Sequence, residues 1–200
     1  MSDNGKLDCG RRRLIFATAT VGGAGAVAAA VPFVSSMLPS ERAKAAGAPV
    51  EVDISRLESG QMMIVEWQGK PVWIVRRTPA MLETLAQVTG EISDPESKAS
   101  QQPDYCKNQQ RSYEKRPEVL VMIGICTHLG CSPSAKFKAG AEEGMTADWK
   151  GGFLCPCHGS TFDFAGRVFK AKPAPTNLPI PPHRYLSEQR ILIGEHPTEA

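Results

Sequence analysis

Two short segments decide how this chain folds: CTHLGC at residues 126–131 and CPCHGS at residues 155–160. Together they contain four of the six cysteines and two of the four histidines in the sequence. Thiolate and imidazole groups are the ligands that zinc and iron prefer in proteins. Chance does not concentrate these residues so strongly, and we therefore interpret the two segments as the loops of one metal centre.

The spacing of these residues departs from three common metal motifs. A c-type haem needs C-x-x-C-H, and Cys155-Pro-Cys157-His158 is one residue too short. A plant-type ferredoxin needs C-x₄-C-x₂-C, and only its first spacing is present, at Cys126 and Cys131. Structural zinc favours paired cysteines and paired histidines, whereas each segment here offers one closely spaced cysteine and histidine plus a spare cysteine. A zinc-binding structural module stays open as an alternative.

The sequence around the two loops predicts a mainly β, antiparallel domain. Glycine and proline, 18 and 16 residues, favour short strands with many turns. One apolar strand leads directly into the first loop, and Gln68-Gly69-Lys70 predicts the turn of a hairpin. Strands are predicted at residues 50–54, 62–67, 71–76, 119–125, 167–170 and 191–193.

A short helix is predicted to begin at Thr78-Pro79. Threonine is a good helix cap, and proline suits the first helical position. Met81, Leu82 and Leu85 would then share the apolar face of this helix.

The residues between the predicted helix and the apolar strand carry little pattern. Residues 91–116 are polar and without periodicity, so we expect a long surface loop with Cys106 as a free thiol on it. Cys9 is expected on the other side of a membrane from Cys106. His183 and His196 are expected to be solvated.

The N-terminal quarter of the chain differs from the rest. Residues 14–40 carry no charge, and a helix of that length reaches ~40 Å, enough to cross a bilayer. Arginines precede it at residues 11–13, and basic residues stay on the cytoplasmic side. The sequence thus predicts four parts: a cytoplasmic N-terminus at 1–13, a transmembrane anchor at 14–38, a flexible linker at 39–49 and an exported head at 50–200.

The arginines also bear on the export route. Arg11-Arg12-Arg13-Leu14-Ile15 is similar to a twin-arginine signal, a pathway that exports proteins already folded. Ala43-Lys44-Ala45 could be a signal-peptidase site. A cleaved chain would release a soluble head and a retained anchor would tether it, and both outcomes stay open.

The two loops resemble those of the Rieske [2Fe–2S] family. In that family each loop gives one cysteine and one histidine, with the cysteines on one iron and the histidines on the other. The resemblance implies one cluster per subunit, with the ligands Cys126, His128, Cys155 and His158. It also implies a disulfide between Cys131 and Cys157, which needs an oxidising compartment. The implied fold is a Rieske-type β domain with a cluster-binding subdomain.

The likeness continues outside the loops. The anchor, the alanine-rich linker and the segments DWKGG at 148–152, AGRVF at 165–169 and PAPTNLP at 173–179 resemble bacterial iron–sulfur subunits of ubiquinol–cytochrome c reductase. That family oxidises ubiquinol, takes one electron onto its cluster and passes it to a c-type cytochrome, with proton release. The resemblance implies cytochrome b, a c-type cytochrome and ubiquinol as partners, a dimeric complex, and an inner-membrane anchor with a periplasmic head.

Five residues have roles that the resemblance implies. His158 would accept the hydrogen bond of the quinol and take its proton, with His128 as the second titrating ligand. Ser160 would donate a hydrogen bond to a cluster sulfide, and Leu129 would be an apolar docking contact for cytochrome b. Many relatives carry tyrosine where this chain has Phe162, which removes one hydrogen-bond donor from the cluster.

Another class of protein also fits the loops. The small Rieske subunit of a periplasmic molybdenum oxidase, such as arsenite oxidase, is exported in the same way and needs no quinol pocket. Nucleic acid is not an expected partner, because 23 basic and 21 acidic residues leave a net charge of only +2.

Overall fold

The computed structural model describes residues 9–40, 47–141 and 143–197, which form two units, a long helix and a β-rich head. Part of the predicted linker, residues 41–46, and with it the candidate cleavage site, lies outside the described residues. The start of the predicted cytoplasmic segment, residues 1–8, lies outside them as well.

Helix α1 (Cys9–Ser36) is 28 residues long and is apolar enough to cross a membrane, with no buried side chain. It begins two residues before the arginines at 11–13, earlier than the predicted anchor at 14–38, and ends two residues sooner. Two threonine hydroxyls inside it are satisfied locally, since Thr18 donates to the carbonyl of Leu14 at 2.9 Å and Thr20 to that of Phe16 at 2.6 Å. Such local bonds reduce the cost of placing hydroxyls in an apolar environment.

The described part of the head contains three antiparallel sheets of three strands each, in agreement with the predicted fold class. The first sheet has the order β1 (Val50–Asp53), β9 (Arg190–Ile193) and β8 (His183–Tyr185). The second has the order β2 (Met62–Trp67), β3 (Lys70–Arg76) and β4 (Val119–Ile123). The third has the order β5 (Ser134–Lys136), β6 (Gly152–Leu154) and β7 (Thr161–Phe162).

The predicted hairpin is formed by β2 and β3, with a tighter turn than expected. Gln68 and Gly69 both have positive φ, 53° and 70°, and make a two-residue turn. Lys70 therefore pairs with Trp67 as the first residue of β3. Two-residue turns with positive φ at both positions match the right-handed twist of paired strands.

The predicted helix is present as α2 (Pro79–Gln87), and the hydroxyl of Thr78 accepts a hydrogen bond from the Met81 amide at 3.2 Å. Leu85 is buried on its apolar face, with Met81 and Leu82 packed beside it.

Sheet β2–β3–β4 separates two apolar cores. Alternate side chains of a strand point to opposite faces, so Trp73 and Met122 enter one core while Ile74 and Val121 enter the other. A strand that is buried on both faces has no reason to alternate, which explains the unbroken apolar run of β4. The first core also holds Cys126 and Cys155 and therefore lies directly beneath the two loops.

Three expectations from the sequence were wrong. Residues 91–116 are irregular, as expected, but they are not all at the surface: short 3₁₀ helices lie at Thr89–Glu91, where the segment begins, and at Asp104–Cys106 within it, and Cys106 is fully buried. His183 is 1% exposed instead of solvated, because it lies in β8 with its Nδ1 2.9 Å from the Pro181 carbonyl. Residues 167–170 form only two isolated bridges, through Val168 and Phe169.

Candidate metal centre

The first loop leaves β4 at Gly124, where only glycine fits. A Cβ at this position would lie 2.0 Å from the indole ring of Trp73. The loop then closes on itself: the amide of Cys126 donates to the carbonyl of Cys131 at 2.8 Å, and the amide of Gly130 donates to that of Cys126 at 3.0 Å. Gly130 has φ +83°, a conformation that favours glycine.

The second loop connects β6 to β7 and repeats this closure. The amide of Cys155 donates to the carbonyl of Ser160 at 2.7 Å, and the amide of Gly159 donates to that of Cys155 at 3.0 Å. Gly159 has φ +74° and corresponds to the glycine of the first loop. The two loops thus share one backbone hydrogen-bonding pattern, and each carries its first cysteine and its histidine within it.

A disulfide joins the loops between Cys131 and Cys157, as the resemblance implies, with their Cα atoms 6.7 Å apart. The sulfur of Cys155 lies within 4.8 Å of both disulfide sulfurs. Since the disulfide sulfurs are bonded to each other, the thiols left for a metal are those of Cys126 and Cys155.

The remaining thiols and imidazoles form two adjacent pairs. Cys126 and Cys155 are each 2% exposed, and burial, together with the neighbouring thiol of Cys155, raises the pKa of the Cys126 thiol. The rings of His128 and His158 lie 4.8 Å apart, edge to face. His158 is exposed and His128 half-buried, so the imidazoles are the part of the site that solvent or a partner can reach.

Hydrogen-bond donors surround the sulfur of Cys126. The Ser160 hydroxyl and the His128 amide are donors close to it, and both lower the pKa of the thiol. Ser160 is fully buried, and its oxygen accepts a hydrogen bond from the Ala174 amide at 3.0 Å. This orientation fits a bound anionic sulfur, because such bonds stabilise the negative charge.

The proline-rich segment at residues 173–179 is tied to both loops. Ala174 contacts the second loop through Ser160, and the hydroxyl of Thr127 in the first loop donates to the Thr176 carbonyl at 2.7 Å. Sequence reasoning missed Thr127, although a hydroxyl residue between two ligands of a tight loop is a usable signal.

Two other predicted residues differ in exposure. Leu129 is 71% exposed at the tip of the first loop. Phe162 is fully buried in β7, opposite Phe153, in the same core as Cys126 and Cys155.

Two thiolates and two imidazoles can bind either zinc or a mixed-ligand iron–sulfur cluster. Two disulfide-linked loops of this kind, on three small antiparallel sheets, define the class of Rieske-type iron–sulfur proteins. Residues 49–182 match the family described as Rieske [2Fe–2S] domain, and the chain belongs to this family. Its cofactor is accordingly a [2Fe–2S] cluster, and the zinc alternative is not favoured.

The N-terminus and the known relatives indicate which kind of Rieske-type protein this chain is similar to. Residues 1–40 match the family described as ubiquinol–cytochrome c reductase Fe–S subunit TAT signal, so a twin-arginine signal is present. The ubiquinol–cytochrome c reductase iron–sulfur subunit of Allochromatium vinosum is 58% identical over 98% of this chain and 93% of its own. The subunit of the same description from Blastochloris viridis is 41% identical over 97% and 98%.

A chain of a hyperthermophilic respiratory Complex III is 28% identical and aligns over 88% of this chain and 96% of its own, with a TM-score of 0.46.

Proposed function

We propose that this chain is the electron-transfer subunit of a ubiquinol–cytochrome c reductase, an oxidoreductase complex. It takes one electron from ubiquinol and passes it to a c-type cytochrome, and a proton is released. The observation that carries this proposal is the pair of adjacent imidazoles that solvent can reach, on the same two loops as two buried thiols. The relatives, which are subunits of the same enzyme, favour this role over the small subunit of a molybdenum oxidase.

We infer the ligand set from the pair of buried thiols and the pair of adjacent imidazoles. Cys126 and Cys155 would hold one iron and His128 and His158 the other. When bound, the cluster supplies a one-electron acceptor whose potential is raised by the neutral imidazole ligands. Ser160 would stabilise the added negative charge through its hydroxyl.

The imidazoles would also accept the proton of the quinol hydroxyl. A ring that binds a metal through one nitrogen keeps a second nitrogen free. His158 is exposed, so its free nitrogen would accept the hydrogen bond and then the proton of the quinol hydroxyl. His128, half-buried beside it, would be the second proton-accepting ligand.

Leu129 would guide docking. An exposed leucine at a loop tip, one residue from a ligand histidine, suits an apolar socket on cytochrome b. Docking there would bring the imidazole edge to the quinol and exclude water from the contact.

The proposed membrane topology suits a head that carries an electron between two partners. Helix α1 would anchor the subunit in the inner membrane, with the N-terminal arginines in the cytoplasm and the head in the periplasm. The linker at residues 39–49 would let the head move from cytochrome b to the c-type cytochrome, since eleven residues span at most ~40 Å. The complex would be a dimer.

EPR of dithionite-reduced membranes tests this role. We expect a signal from the cluster that changes shape when an inhibitor occupies the quinol site, because the inhibitor would contact His158. Co-purification with b- and c-type haems is expected. An EPR signal whose shape the inhibitor does not change, together with a molybdopterin partner, would favour the molybdenum oxidase instead.

A further inference from the structure

Three arginine side chains are buried close to the second loop. Arg77, Arg111 and Arg167 are each at most 1% exposed, although arginine is seldom buried without a charged partner. Among the described residues, the one fully buried carboxylate is that of Asp163, which pairs with Arg167 at 2.7 Å. We call these four residues the arginine block. With three positive charges and one negative, it carries a net charge of +2.

The arginine block is built around one turn, residues 163–167, that directly follows β7. Arg77 donates to the carbonyl of Phe164 at 3.1 Å, and Arg111 donates to that of Ala165 at 3.1 Å. The carboxylate of Asp163 accepts hydrogen bonds from two amides of the same turn, those of Ala165 and Arg167. The positive charges are therefore fixed in position relative to the second loop.

The other carboxylates near the block neutralise it only partly. Glu118 interacts with Arg77 and Asp94 with Arg111, but both acids are only half-buried. One N–H group in each of the three guanidinium groups has no hydrogen-bond partner among the described residues. Burial lowers the pKa of Arg77 and of Arg111 to about 10, so both stay positively charged at neutral pH.

The block also lies near the sulfur ligands. Asp163 follows Ser160 by three residues, which places their Cα atoms at most ~11 Å apart. The Ser160 hydroxyl in turn lies close to the thiol of Cys126. At such a distance, charges separated by protein interior interact appreciably, because little water or salt screens them.

We propose that the arginine block sets the reduction potential of the centre through its electric field. Reduction adds one electron and turns one ferric ion into a ferrous ion, with no covalent bond made or broken. The net positive charge favours the reduced form, and Asp163 moderates this effect. Both Asp163 and Arg111 are thus positioning residues that act on the ligands from outside the site. The inference rests on the proposed function only in that the loops hold a redox cluster.

Redox titration of membranes containing the full complex, followed by EPR, tests the proposal. Asp163→Asn keeps the shape and an accepting oxygen but removes the negative charge. We expect the equilibrium constant for reduction to rise three- to tenfold, where tenfold corresponds to ~59 mV. Arg111→Met should lower the constant by a similar factor. Arg111→Lys, the matched control, keeps the charge and should change the constant by less than twofold.

The opposite signs separate a field from a structural disturbance. A loosened loop would shift both variants in the same direction, and that result, or an unchanged potential in Asp163→Asn, would overturn the proposal. If Arg111→Met does not accumulate, Arg77→Gln replaces it and should lower the constant, opposite in sign to Asp163→Asn. Absence of an EPR signal in the unmodified protein would instead count against the ligand set and the proposed function.

Discussion

At the scale of single residues, the sulfur of Cys126 has two donors close to it, the Ser160 hydroxyl and the His128 amide, but Phe162, in the same core, cannot donate. Reduction adds a negative charge, so each donor to a sulfur ligand favours the reduced form. A charge-assisted hydrogen bond differs between the two states by roughly 1 kcal/mol. The aromatic residue at position 162 is therefore expected to tune the potential.

We predict that Phe162→Tyr raises the reduction potential by on the order of 40 mV, since 1.4 kcal/mol corresponds to 59 mV. Ser160→Ala should lower it by a comparable amount, because it removes an existing donor. Redox titration followed by EPR measures both shifts. An unchanged or lower potential in Phe162→Tyr would mean that the ring does not point toward the sulfur of Cys126.

His183 makes stability depend on pH. Burial lowers the pKa of this histidine from 6.5 to about 4. Between these values the unfolded chain binds a proton that the folded chain does not, so the free energy of unfolding falls as the pH drops from 6.5 toward 4. The full loss is ~3 kcal/mol.

The pH effect can be assigned with two variants. Urea unfolding at several pH values should show a weaker pH dependence for His183→Gln than for the unmodified protein. His196→Gln, at an exposed position, serves as the control and should leave the dependence unchanged. Equal pH dependence in all three proteins would rule out His183 as the source.

At the scale of secondary-structure elements, the path of the first loop depends on the close contact between Gly124 and Trp73. Gly124→Ala would force the indole or the strand to move, and we expect a loss of about 1–3 kcal/mol in the free energy of unfolding. Gly90→Ala is the matched control, because a Cβ there meets no atom within 4 Å. Urea unfolding compares the two; equal, small losses would show that β4 adapts without cost.

The elements that were predicted well are those whose signal is local. The Thr78-Pro79 helix start depends on a cap and a proline, and the β2–β3 hairpin on a glycine turn, and both are present. Residues 167–170 gave a false strand, because an apolar pair such as Val168-Phe169 has the same pattern whether it joins a sheet or makes isolated bridges.

The buried polar groups were missed for a different reason. Arg111 is buried because it bonds to carbonyls more than fifty residues away, such as that of Ala165. Cys106 and His183 are likewise enclosed by distant parts of the chain. Composition and periodicity carry no trace of such long-range hydrogen bonds, so a polar segment was interpreted as a surface loop. The two cysteine–histidine loops could be predicted because their ligands lie within a few residues of each other.

At the scale of the whole molecule, the proposed function needs an anchored head that crosses the membrane already folded. We predict that the purified subunit retains α1, and that protease added from the periplasmic side releases the head by cutting within residues 39–49. An intact mass for a chain that starts near Ala46 would show a cleaved signal instead.

The arginine pair at the N-terminus predicts the export route. Replacing Arg11 and Arg12 with lysine keeps the positive charge but should leave the head in the cytoplasm, because the twin-arginine pathway recognises the arginine pair. Fractionation of cells measures the location of the head. Normal export of this variant would indicate the general secretory route.

The central claim is that two histidines and two cysteines of these loops hold a [2Fe–2S] cluster. Pulsed EPR of the reduced protein, with ¹⁵N incorporated only in histidine, tests it most directly. We expect hyperfine couplings from two histidine nitrogens, those of His128 and His158, and the loss of the cluster signal in Cys126→Ala but not in Cys106→Ala. A reduced protein without an EPR signal, or a signal without histidine nitrogen couplings, would contradict it.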